Sequence, residues 1–421
     1  MKLQLARGTR DYSPEEKIAR QDLTKNLISV FERYGYAPLE TPLLERMDVL
    51  AAKYAGGEAA DVMKEVFKVQ DQGGRELGLR FDLTVPLARY VGMNPTLKMP
   101  FKRYQIGKAY RDGPIKQGRY REFWQYDIDI VGCGTMQADA EIIRVVLAAF
   151  DTLGLDVEIK INNRKLLSAI IQAAGISKEL SETVIITIDK LDKLGEKTVI
   201  KELLNKGFDK EEAQNVMKHL RLRTIEEYEA LLPGNEGVQE LKQLFSLLPK
   251  DERLVFMPSL ARGLAYYTGP VFEVFSKELS VSLAGGGRYD DMIGNYLGGK
   301  QKVPATGIAF GFEPILEVLD QQRKIPLKKS RTQVYVIPIG NVDAAGVVEE
   351  LRDDGINADV DLIGRGLTKN IKYADAYGIP YVLFVGEDEL ERREFKLRNL
   401  KTGKETTGTL QSLCGQLSLS W

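Results

Sequence analysis

The segment from Phe101 to Gly132 constrains the fold of this chain more than any other. Two strand-like runs flank a turn there, and the first 22 positions hold seven Lys or Arg residues against two acids. Because successive side chains of a strand point to opposite faces, the second run gathers one set of side chains on a single face. That set comprises Arg119, Arg121, Phe123, Gln125, Asp127 and Asp129. The sequence therefore predicts a β-hairpin built around a cationic pocket.

The order of side chains along this face indicates a ligand with several chemical parts. Guanidinium groups at one end suit a polyphosphate, and the ring of Phe123 suits a purine. The carboxylate of Asp129 at the other end suits the ammonium group of a zwitterion. The alternative is an edge hairpin whose solvated face happens to be charged, which is the usual reason for charged strands. The graded order favours the ligand-binding interpretation.

Composition excludes several classes of protein. A chain of 421 residues exceeds what one core usually supports, so we expect two or three domains. With 59 basic and 60 acidic residues, no global field draws the protein onto nucleic acid, and any RNA contact must come from local patches. The two cysteines, Cys133 and Cys414, lie far apart, and His219 is the single histidine. This excludes a Cys/His metal cage, a disulfide framework and a histidine-based catalytic triad.

Insertion into a membrane and secretion both require an apolar run of sufficient length. The first residues contain no apolar core of a signal peptide, and no apolar run reaches 18 residues. We therefore expect a soluble, cytoplasmic protein that makes no contact with membranes.

The spacing of apolar residues and helix breakers gives the organisation of the first part of the chain. The predicted elements are a helix over 14–34, an extended segment over 36–44, strands over 65–69 and 77–83, a helix over 138–153 and a strand over 156–162. The extended segment contains two prolines, which suits a sheet edge or a subunit contact. Short charged helices over about 165–248 then indicate a separate helical insertion.

The rest of the chain returns to strands and ends in a second domain. The predicted elements are strands at 253–256 and 271–275, a strand-to-helix junction at 307–319, strands at 334–339, 357–360 and 381–385, and helices at about 342–353 and 367–377. Residues 320–331 are polar and unpatterned, as in a linker. Strands that alternate with helices are typical of a small α/β domain. We therefore divide the chain into a core over 1–325 and an α/β domain over 331–421.

Several of these segments resemble the motifs of class II aminoacyl-tRNA synthetases, and specifically of the histidine–tRNA ligase family. Pro38-Leu-Glu-Thr-Pro42 resembles the dimer-forming first motif. The other matching segments are Tyr110-Arg111 with Arg119 to Phe123 (second motif), Arg262 to Tyr267 (histidine signature), Gly285 to Asp290 (its Gly-rich companion), and Val360 to Leu362 with Lys372 to Asp375 (anticodon-binding domain). The resemblance covers nearly the whole chain, with the motifs in the family's order.

This resemblance implies a fold and an activity. The fold is an α+β catalytic domain on an antiparallel sheet, with a helical insertion and a C-terminal α/β anticodon-binding domain. The activity is ATP-dependent ligation of L-histidine to its tRNA through a histidyl-adenylate. The implied partners are histidine, ATP, tRNA and a second copy of the chain in a homodimer. Mg²⁺ is expected with ATP, without a dedicated protein metal site.

The chemistry of this reaction explains the cationic side chains. A histidine carboxylate must attack the α-phosphorus of ATP, so two anions meet and fixed positive charge is required. By resemblance, Arg111 and Arg262 are the catalytic residues and contact both histidine and ATP. Arg121 and Phe123 complete the ATP site, with the phenyl ring stacked on adenine.

A second set of residues is implied to select histidine. The positions that match the amino-group contacts of the family are Asp82, Thr84, Gln125 and Asp129. Tyr266 and Tyr267 match the positions that line the imidazole pocket. Taken alone, Asp82 and Thr84, predicted to share one strand face, indicate a polar strand edge, and the tyrosine pair indicates core packing. Their occurrence together with the hairpin favours the binding roles.

The glycine run from Gly285 to Gly287 allows two interpretations. Such a run is typical of a bulged strand or a tight turn. It also permits a backbone to approach histidine or adenosine closely. The sequence leaves both open.

Three positions depart from the family pattern. Pro314 stands where the third motif ends in an arginine that contacts the γ-phosphate and covers the adenine. Arg288 is a candidate replacement from another segment. Ala265 stands where the histidine signature carries aspartate, and Asp82 stands where many bacterial members have glutamate.

Three hypotheses about function follow. The first is an active histidine–tRNA ligase. The second is a histidine-binding regulatory protein that resembles the regulatory subunit of ATP phosphoribosyltransferase and does not aminoacylate. The third is a diverged paralogue that only binds RNA. The retained phosphate-binding arginines and the C-terminal domain favour the first, whereas Pro314 and Ala265 favour the others.

Overall fold

The computed structural model describes residues 2–52, 63–115, 120–261, 266–278, 281–299, 301–325 and 328–418. The chain divides into two compact units. Met1–Arg10 and Lys25–Lys324 make up the larger unit, and Asp11–Thr24 with Ile325–Trp421 make up the smaller one. All the described residues predicted to bind histidine or ATP therefore fall within the larger unit.

Strands supply the framework of both units. Those of the larger unit are β1 (Ala37–Pro38), β2 (Leu44–Arg46), β3 (Lys68–Gln70), β4 (Glu76–Leu79), β5 (Phe101–Tyr110), β6 (Glu122–Val131), β7 (Val157–Asn163), β8 (Leu254–Phe256), β9 (Pro270–Ser276), β10 (Ser282–Arg288) and β11 (Ala305–Gly311). Those of the smaller unit are β12 (Val334–Pro338), β13 (Ala358–Val360), β14 (Tyr381–Val385), β15 (Phe395–Asn399) and β16 (Glu405–Gly408).

Helices connect and cover these strands. Up to the linker they are α1 (Pro14–Arg33), α2 (Met47–Ala52), α3 (Thr84–Met93), α4 (Met136–Leu153), α5 (Arg164–Ala173), α6 (Ser181–Ile188), α7 (Leu191–Leu194), α8 (Glu196–Asn205), α9 (Lys210–His219), α10 (Ile225–Leu231), α11 (Glu236–Leu247), α12 (Met292–Tyr296) and α13 (Phe312–Gln321). After the linker they are α14 (Ala345–Asp353), α15 (Leu367–Ala376), α16 (Glu387–Arg392) and α17 (Leu410–Ser418). Among the described residues, none of the helices is both long enough and apolar enough to cross a membrane.

Within the described part of the chain, eight strands form one sheet in the order β1-β5-β6-β11-β10-β9-β7-β8. Neighbouring strands are antiparallel except at the two edges, where β1 pairs with β5 and β7 pairs with β8 in parallel. The predicted hairpin is β5 and β6, with Phe101 opposite Val131. The predicted antiparallel sheet is confirmed, and β1 lies at its edge as expected for the segment 36–44.

The first helix shows how local sequence sets the start and end of an element. The Ser13 amide donates to Glu16 Oε2 (2.9 Å), and the Glu16 amide donates to Ser13 Oγ (3.3 Å), so both N–H groups are satisfied. Pro14 occupies the first helical position, where no N–H is needed. Gly35, with a φ of +76°, takes the left-handed conformation that ends the helix. The predicted helix over 14–34 is confirmed.

Between β7 and β8 the chain is helical, from α5 to α11. Two of these helices begin with a capping box, in which a polar residue and the glutamate three positions later satisfy each other's amide groups. The boxes are Asp209 with Glu212 at α9 and Thr224 with Glu227 at α10. The predicted helical insertion is confirmed.

The smaller unit is built on a sheet in the order β13-β12-β14-β15-β16. β13, β12 and β14 are parallel, and β15 and β16 continue antiparallel. Each face of the sheet has its own core, one containing Val336, Leu383 and Phe395 and the other containing Tyr335 and Val382. The predicted α/β domain is confirmed, whereas β15, β16, α16 and α17 were not predicted.

Candidate active site

A cleft opens in the large sheet where β6, β11 and β10 run side by side. It contains about 270 Å³ of empty space, part of which is open solvent. Its wall includes four residues predicted to bind histidine: Thr84, Asp129, Tyr266 and Tyr267. The wall also includes Asp127, Gly285, Gly286, Tyr289 and Gly307. The fold thus brings residues from distant parts of the chain into one cavity.

Strand register places Asp129 among close neighbours in this cleft. Asp129 lies opposite Arg103 on β5 and opposite Gly307 on β11. A Cβ on Gly307 would lie 2.0 Å from Asp129 Oδ1, so glycine is required to leave room for the carboxylate. A Cβ on Gly286 would lie 2.0 Å from the Gly307 carbonyl oxygen. These two glycines therefore allow the strands to pack closely around the carboxylate.

The predicted glycine run lies inside β10, in the interior of the sheet. The pairing of β10 with β9 shifts register between Ser282 and Ala284, just before the run. Gly285 and Gly286 line the cleft with backbone atoms. The run is thus part of a strand with an adjacent irregularity, and its close approach to a ligand stays a prediction.

Asp129 is buried, and each of its oxygens lies against a group of the protein. Arg103 Nη2 is 2.7 Å from Oδ2, and the Tyr289 hydroxyl donates to Oδ1. Burial raises the pKa of Asp129, while Arg103 and Tyr289 act to lower it and the Asp82 carboxylate raises it further. Burial also raises the pKa of Tyr289 well above its usual value, so its hydroxyl keeps the proton that it donates.

Asp82 and Thr84 do not share a strand face, so that prediction was wrong. β4 ends before them, and Thr84 is the first residue of α3. The Val85 amide donates to Asp82 Oδ1 (3.0 Å), and Pro86 fits the first turn because it needs no N–H partner there. Thr84 lines the cleft, whereas Asp82 is not part of its wall and acts electrostatically on Asp129.

Arg111 follows β5 and contacts the predicted adenine-binding ring. Its Cζ lies 5.1 Å from the centroid of the Phe123 ring, within range of a cation–π interaction. Its Nε donates to the Phe81 carbonyl (3.1 Å), one residue before Asp82. Arg111 thus links the hairpin to the segment that carries Asp82.

Arg121 lies across the hairpin turn from Arg111, and both its backbone and its side chain make contacts there. Its amide donates to the Gly8 carbonyl (2.9 Å), and its carbonyl accepts from the Arg111 amide (2.9 Å). Its side chain contacts Asp112 Oδ1 (3.0 Å) and the Gly113 carbonyl (3.3 Å). The three predicted ATP-binding residues Arg111, Arg121 and Phe123 therefore lie at the same end of the hairpin.

The prediction of a cationic pocket was wrong in its extent, because most hairpin cations are neutralised locally. The ion pairs are Lys102 with Glu141 (2.8 Å), Arg103 with Asp129 (2.7 Å), Lys108 with Glu122 (2.8 Å) and Arg121 with Asp112 (3.0 Å). Lys116 and Arg119 lie outside the described residues. The cleft itself is lined by the carboxylates of Asp127 and Asp129.

The remaining predicted histidine-binding residues are placed as follows. Gln125 is buried on the same face of β6 as Asp129, and its Oε1 has no hydrogen-bond partner in the described part of the chain. The rings of Tyr266 and Tyr267 lie 4.4 Å apart, and the two hydroxyls are 3.2 Å apart. Arg262 and Ala265 lie outside the described residues.

Arg288 does not replace the missing third-motif arginine, so that prediction was wrong. Its side chain is buried, and Nε and Nη2 both donate to Asp139 Oδ2. Nη1 donates to the Cys133 carbonyl and to Asp290 Oδ1 (both 3.1 Å), and Nη2 also donates to the Thr135 carbonyl (3.0 Å). All three nitrogens are engaged in joining β10 to the start of α4.

Pro314 lies in the first turn of α13, where a proline is tolerated. Its Cγ and Cδ lie 3.4 Å from the position that a Cβ of Gly311 would take. The preceding residue, Glu313, accepts a hydrogen bond from the Trp124 amide (3.0 Å) and so ties the helix to β6. The strand-to-helix junction is formed without the family's arginine.

Two residues of the site, Arg103 and Tyr289, were missed from the sequence. Arg103 is fully buried on β5, and Tyr289 follows β10. The signal for Arg103 was available, because counting outward from the hairpin turn pairs it with Asp129. Tyr289 belongs to the Gly-rich companion motif, yet no role had been predicted for it.

Comparisons with known proteins identify the family of both units. The family model for histidyl-tRNA synthetase matches residues 8–315, and the model for an anticodon binding domain matches residues 333–418. A curated relative from Bacillus cereus, histidine–tRNA ligase 1, is 41% identical over 426 residues, which cover 98% of this chain and 99% of the relative.

Solved structures agree with these matches. The crystal structure of histidyl-tRNA synthetase from Nostoc sp. PCC 7120 is 28% identical, covers 100% of both chains and has a TM-score of 0.86. A Bacillus halodurans C protein described as an ATP phosphoribosyltransferase regulatory subunit/histidyl-tRNA synthetase is 23% identical, with a TM-score of 0.75 over 91% of this chain and 98% of that chain. At that identity the likeness shows the fold alone. The family matches, the relatedness over nearly the full length and the shared architecture together show that this chain belongs to the histidyl-tRNA synthetase family.

Proposed function

We propose that this chain ligates L-histidine to its tRNA in an ATP-dependent reaction that passes through a histidyl-adenylate. The observation that supports this best is the cleft that unites Thr84 and Asp129 with the Tyr266–Tyr267 pair. The hairpin that supplies Asp129 also carries Arg111 at its far end. Carboxylates at one end and a guanidinium at the other match an amino acid that reacts with a nucleotide.

The first step joins two anions. The histidine carboxylate attacks the α-phosphorus of ATP, and pyrophosphate leaves. Arg111 and Arg262 are assigned to the charge that develops on the α-phosphate, and Arg121 to the same phosphate and its neighbours. Phe123 is assigned to stack on the adenine. ATP enters as its Mg²⁺ complex, and within the described residues no three potential ligands are grouped to hold a metal ion.

Histidine selection is assigned to the carboxylate-rich end of the cleft. Asp82, Thr84, Gln125 and Asp129 are assigned to the amino group, and Tyr266 and Tyr267 to the imidazole. The buried Gln125 Oε1, which lacks a hydrogen-bond partner among the described residues, supports this assignment. A buried acceptor without a donor is costly, and a substrate ammonium group would satisfy it.

The second step transfers histidine to a terminal ribose hydroxyl of the tRNA. The match of residues 333–418 to an anticodon binding domain supports assigning the 331–421 domain to the anticodon. The catalytic core with its helical insertion is assigned to residues 1–325. The turn over 112–118 is assigned to the acceptor end of the tRNA.

A cytoplasmic homodimer completes the proposal. The segment from Pro38 to Leu44 is assigned to the subunit interface. β1 lies at an edge of the large sheet, and Leu44 begins β2, an edge strand of a separate three-stranded sheet. The side chains of Leu43 and Leu44 are exposed, and exposed apolar side chains beside unpaired strand edges support burial against a second copy.

The alternative is a histidine-binding regulatory protein that does not aminoacylate. Pro314, which removes the third-motif arginine, and Ala265 are the observations that favour it. Such a protein would bind histidine without catalysing adenylation.

Histidine-dependent ATP–pyrophosphate exchange with the purified full-length protein tests the proposal. We expect exchange with histidine and not with other amino acids. Arg111→Ala or Arg262→Ala should reduce the exchange rate by roughly 100- to 1000-fold, because each removes a donor aimed at developing charge. The matched control is Arg75→Ala, whose side chain is 78% exposed beside Asp71. Histidine binding without exchange would establish the regulatory alternative, and unchanged exchange in Arg262→Ala would contradict the site assignment.

A further inference from the structure

Arg103 is a fully buried cation directly behind the cleft. It projects from β5 opposite Asp129, and its Nη2 lies 2.7 Å from Asp129 Oδ2 and 4.0 Å from Asp127 Oδ2. The same nitrogen donates to the Leu83 carbonyl (3.2 Å), one residue before Thr84. Arg103 thus contacts both segments that supply the carboxylate-rich end of the cleft.

The hydrogen bonding of Arg103 is incomplete for a purely structural role. Nε and Nη1 have no hydrogen-bond partner in the described part of the chain, although both are buried. A buried charged pair contributes little to stability unless all its hydrogen bonds are made, and apolar residues of similar volume often serve as well. A buried cation beside the cleft with two nitrogens unpaired among the described residues therefore points to a role in the site.

The charges around Asp129 indicate that Arg103 acts on the ionisation of this carboxylate. Asp127 neighbours it on β6, Asp82 acts from the segment before α3, Tyr289 donates to it after β10, and Tyr36 lies within electrostatic range before β1. Arg103 is the described cation that acts on this carboxylate. Removing it would leave only the Tyr289 hydrogen bond to oppose burial and the repulsion of Asp82, both of which favour the protonated form of Asp129.

A protonated Asp129 would no longer present two acceptor oxygens. A neutral carboxyl group accepts more weakly and turns one oxygen into a donor. The substrate ammonium group offers only donors, so it requires the ionised form. The direction of the carboxylate matters equally, and Arg103 and Tyr289 hold one oxygen each.

We propose that Arg103 is a positioning residue for amino-acid binding, which acts through Asp129 by keeping that carboxylate ionised and aimed at the substrate ammonium group. The inference rests on the proposed function, in which Asp129 contacts histidine. It adds Arg103, which contacts no substrate but controls the charge and the orientation of Asp129, which does.

The test compares the KM for histidine and the KM for ATP in pyrophosphate exchange between pH 6 and 9. In Arg103→Gln we expect the KM for histidine to rise roughly 10- to 100-fold at neutral pH, with the KM for ATP unchanged. The defect should shrink as pH rises, because Asp129 with a raised pKa regains its charge only in more alkaline solution. Arg103→Lys should retain most of the affinity, since it restores the charge.

A double-mutant cycle separates positioning from general damage. If Arg103 acts through Asp129, the substitution Arg103→Gln should change the KM for histidine little when Asp129→Asn is already present. Lys102→Gln is the matched control, because Lys102 lies next to Arg103 on β5 but pairs with Glu141. Additive effects, or an unchanged KM for histidine in folded Arg103→Gln, would overturn the inference.

Two further measurements keep the test decisive. If Arg103→Gln fails to fold, Arg103→Gln with Asp127→Asn preserves the net charge of the cluster and should show the same pH-dependent defect; a normal, pH-independent KM for histidine there would refute the inference. If the unmodified protein shows no histidine-dependent exchange, the proposed function fails by itself. Calorimetric titration of L-histidine into the same variants then tests Arg103 separately, and equal affinities across them would reject its role.

Discussion

At the scale of single residues, two glycines decide how closely the backbone approaches a charged side chain. Gly307 leaves room for the Asp129 carboxylate, and Gly8 does the same for Arg121. Gly8 has a φ of +84°, and a Cβ there would lie 2.7 Å from Arg121 Cγ. The aliphatic part of Arg121 is therefore packed against the backbone of the N-terminal segment, while the Gly8 carbonyl accepts from its amide.

Gly8→Ala should displace Arg121 and weaken ATP binding. The new methyl group cannot share space with the Arg121 side chain, and a shift of about 1 Å in a group assigned to the ATP phosphates should cost roughly 10- to 100-fold. We expect the KM for ATP in pyrophosphate exchange to rise by that factor, with the KM for histidine unchanged. Gly207→Ala is the control, since Gly207 has a φ of +91° and no neighbour within 4 Å of a Cβ. Equal behaviour of the two variants would mean that backbone strain alone is responsible.

The sequence allowed some residues of the cleft to be predicted, but others were missed. Thr84, Asp129, Tyr266 and Tyr267 were predicted and lie in one cleft. Arg103 was missed because its significance depends on a cross-strand partner 26 positions away, which is found only by counting the strand register outward from the hairpin turn. The role of one arginine in a basic strand cannot be inferred before its cross-strand partner is known.

At the scale of elements, the least predictable boundary was the start of α3. Residues 77–83 alternate like a strand, yet β4 stops at Leu79 and α3 begins at Thr84. Asp82 decides this locally by accepting the Val85 amide, and Pro86 is compatible with a first helical turn. A short apolar run before a proline fits a strand or a helix start, and the difference depends on tertiary packing.

The buried ion pair of Arg288 on β10 with Asp139 on α4 also joins two elements. Arg288→Met should lower the free energy of unfolding by about 3–5 kcal/mol, because Asp139 would be left as an unpaired buried charge. Urea unfolding of the purified protein measures this loss. In Arg46→Met, which breaks a surface pair with Asp48, the change should stay within about 0.5 kcal/mol.

The same variant distinguishes a structural role from a phosphate-binding one. At a temperature where Arg288→Met is folded, we expect its KM for ATP to equal that of the unmodified protein. A raised KM for ATP with unchanged stability would instead favour Arg288 as the replacement for the third-motif arginine.

At the scale of the whole molecule, the fold was predictable because each unit has its own periodic pattern. Alternating strands and helices after the linker predicted the α/β domain, and charged amphipathic helices predicted the insertion. The assignment of Asp11–Thr24 to the smaller unit could not be read from the sequence. It depends on contacts such as Arg331 Nη2 with Asp22 Oδ1 (2.6 Å), which join residues about 300 positions apart.

Removing residues 331–421 should separate the two steps of the reaction. We expect tRNA charging to fall far more than histidine-dependent pyrophosphate exchange, because adenylation is assigned to the larger unit and anticodon contact to the smaller one. The truncation also removes the partner of Asp22, so thermal unfolding must first show that the shortened protein is folded. Equal loss of both activities in a folded variant would contradict this division of labour.

The two oxygens of Asp129 differ in what they still require. Tyr289 donates to Oδ1, whereas Oδ2 has an ion-pair contact with Arg103 but no hydrogen bond among the described residues. A ligand with an ammonium group would bring a donor to this buried acceptor, and a ligand without one would leave the acceptor unmet, which discriminates more strongly than a change in pocket size. The cleft should therefore favour free amino acids over analogues of the same shape that lack the amino group.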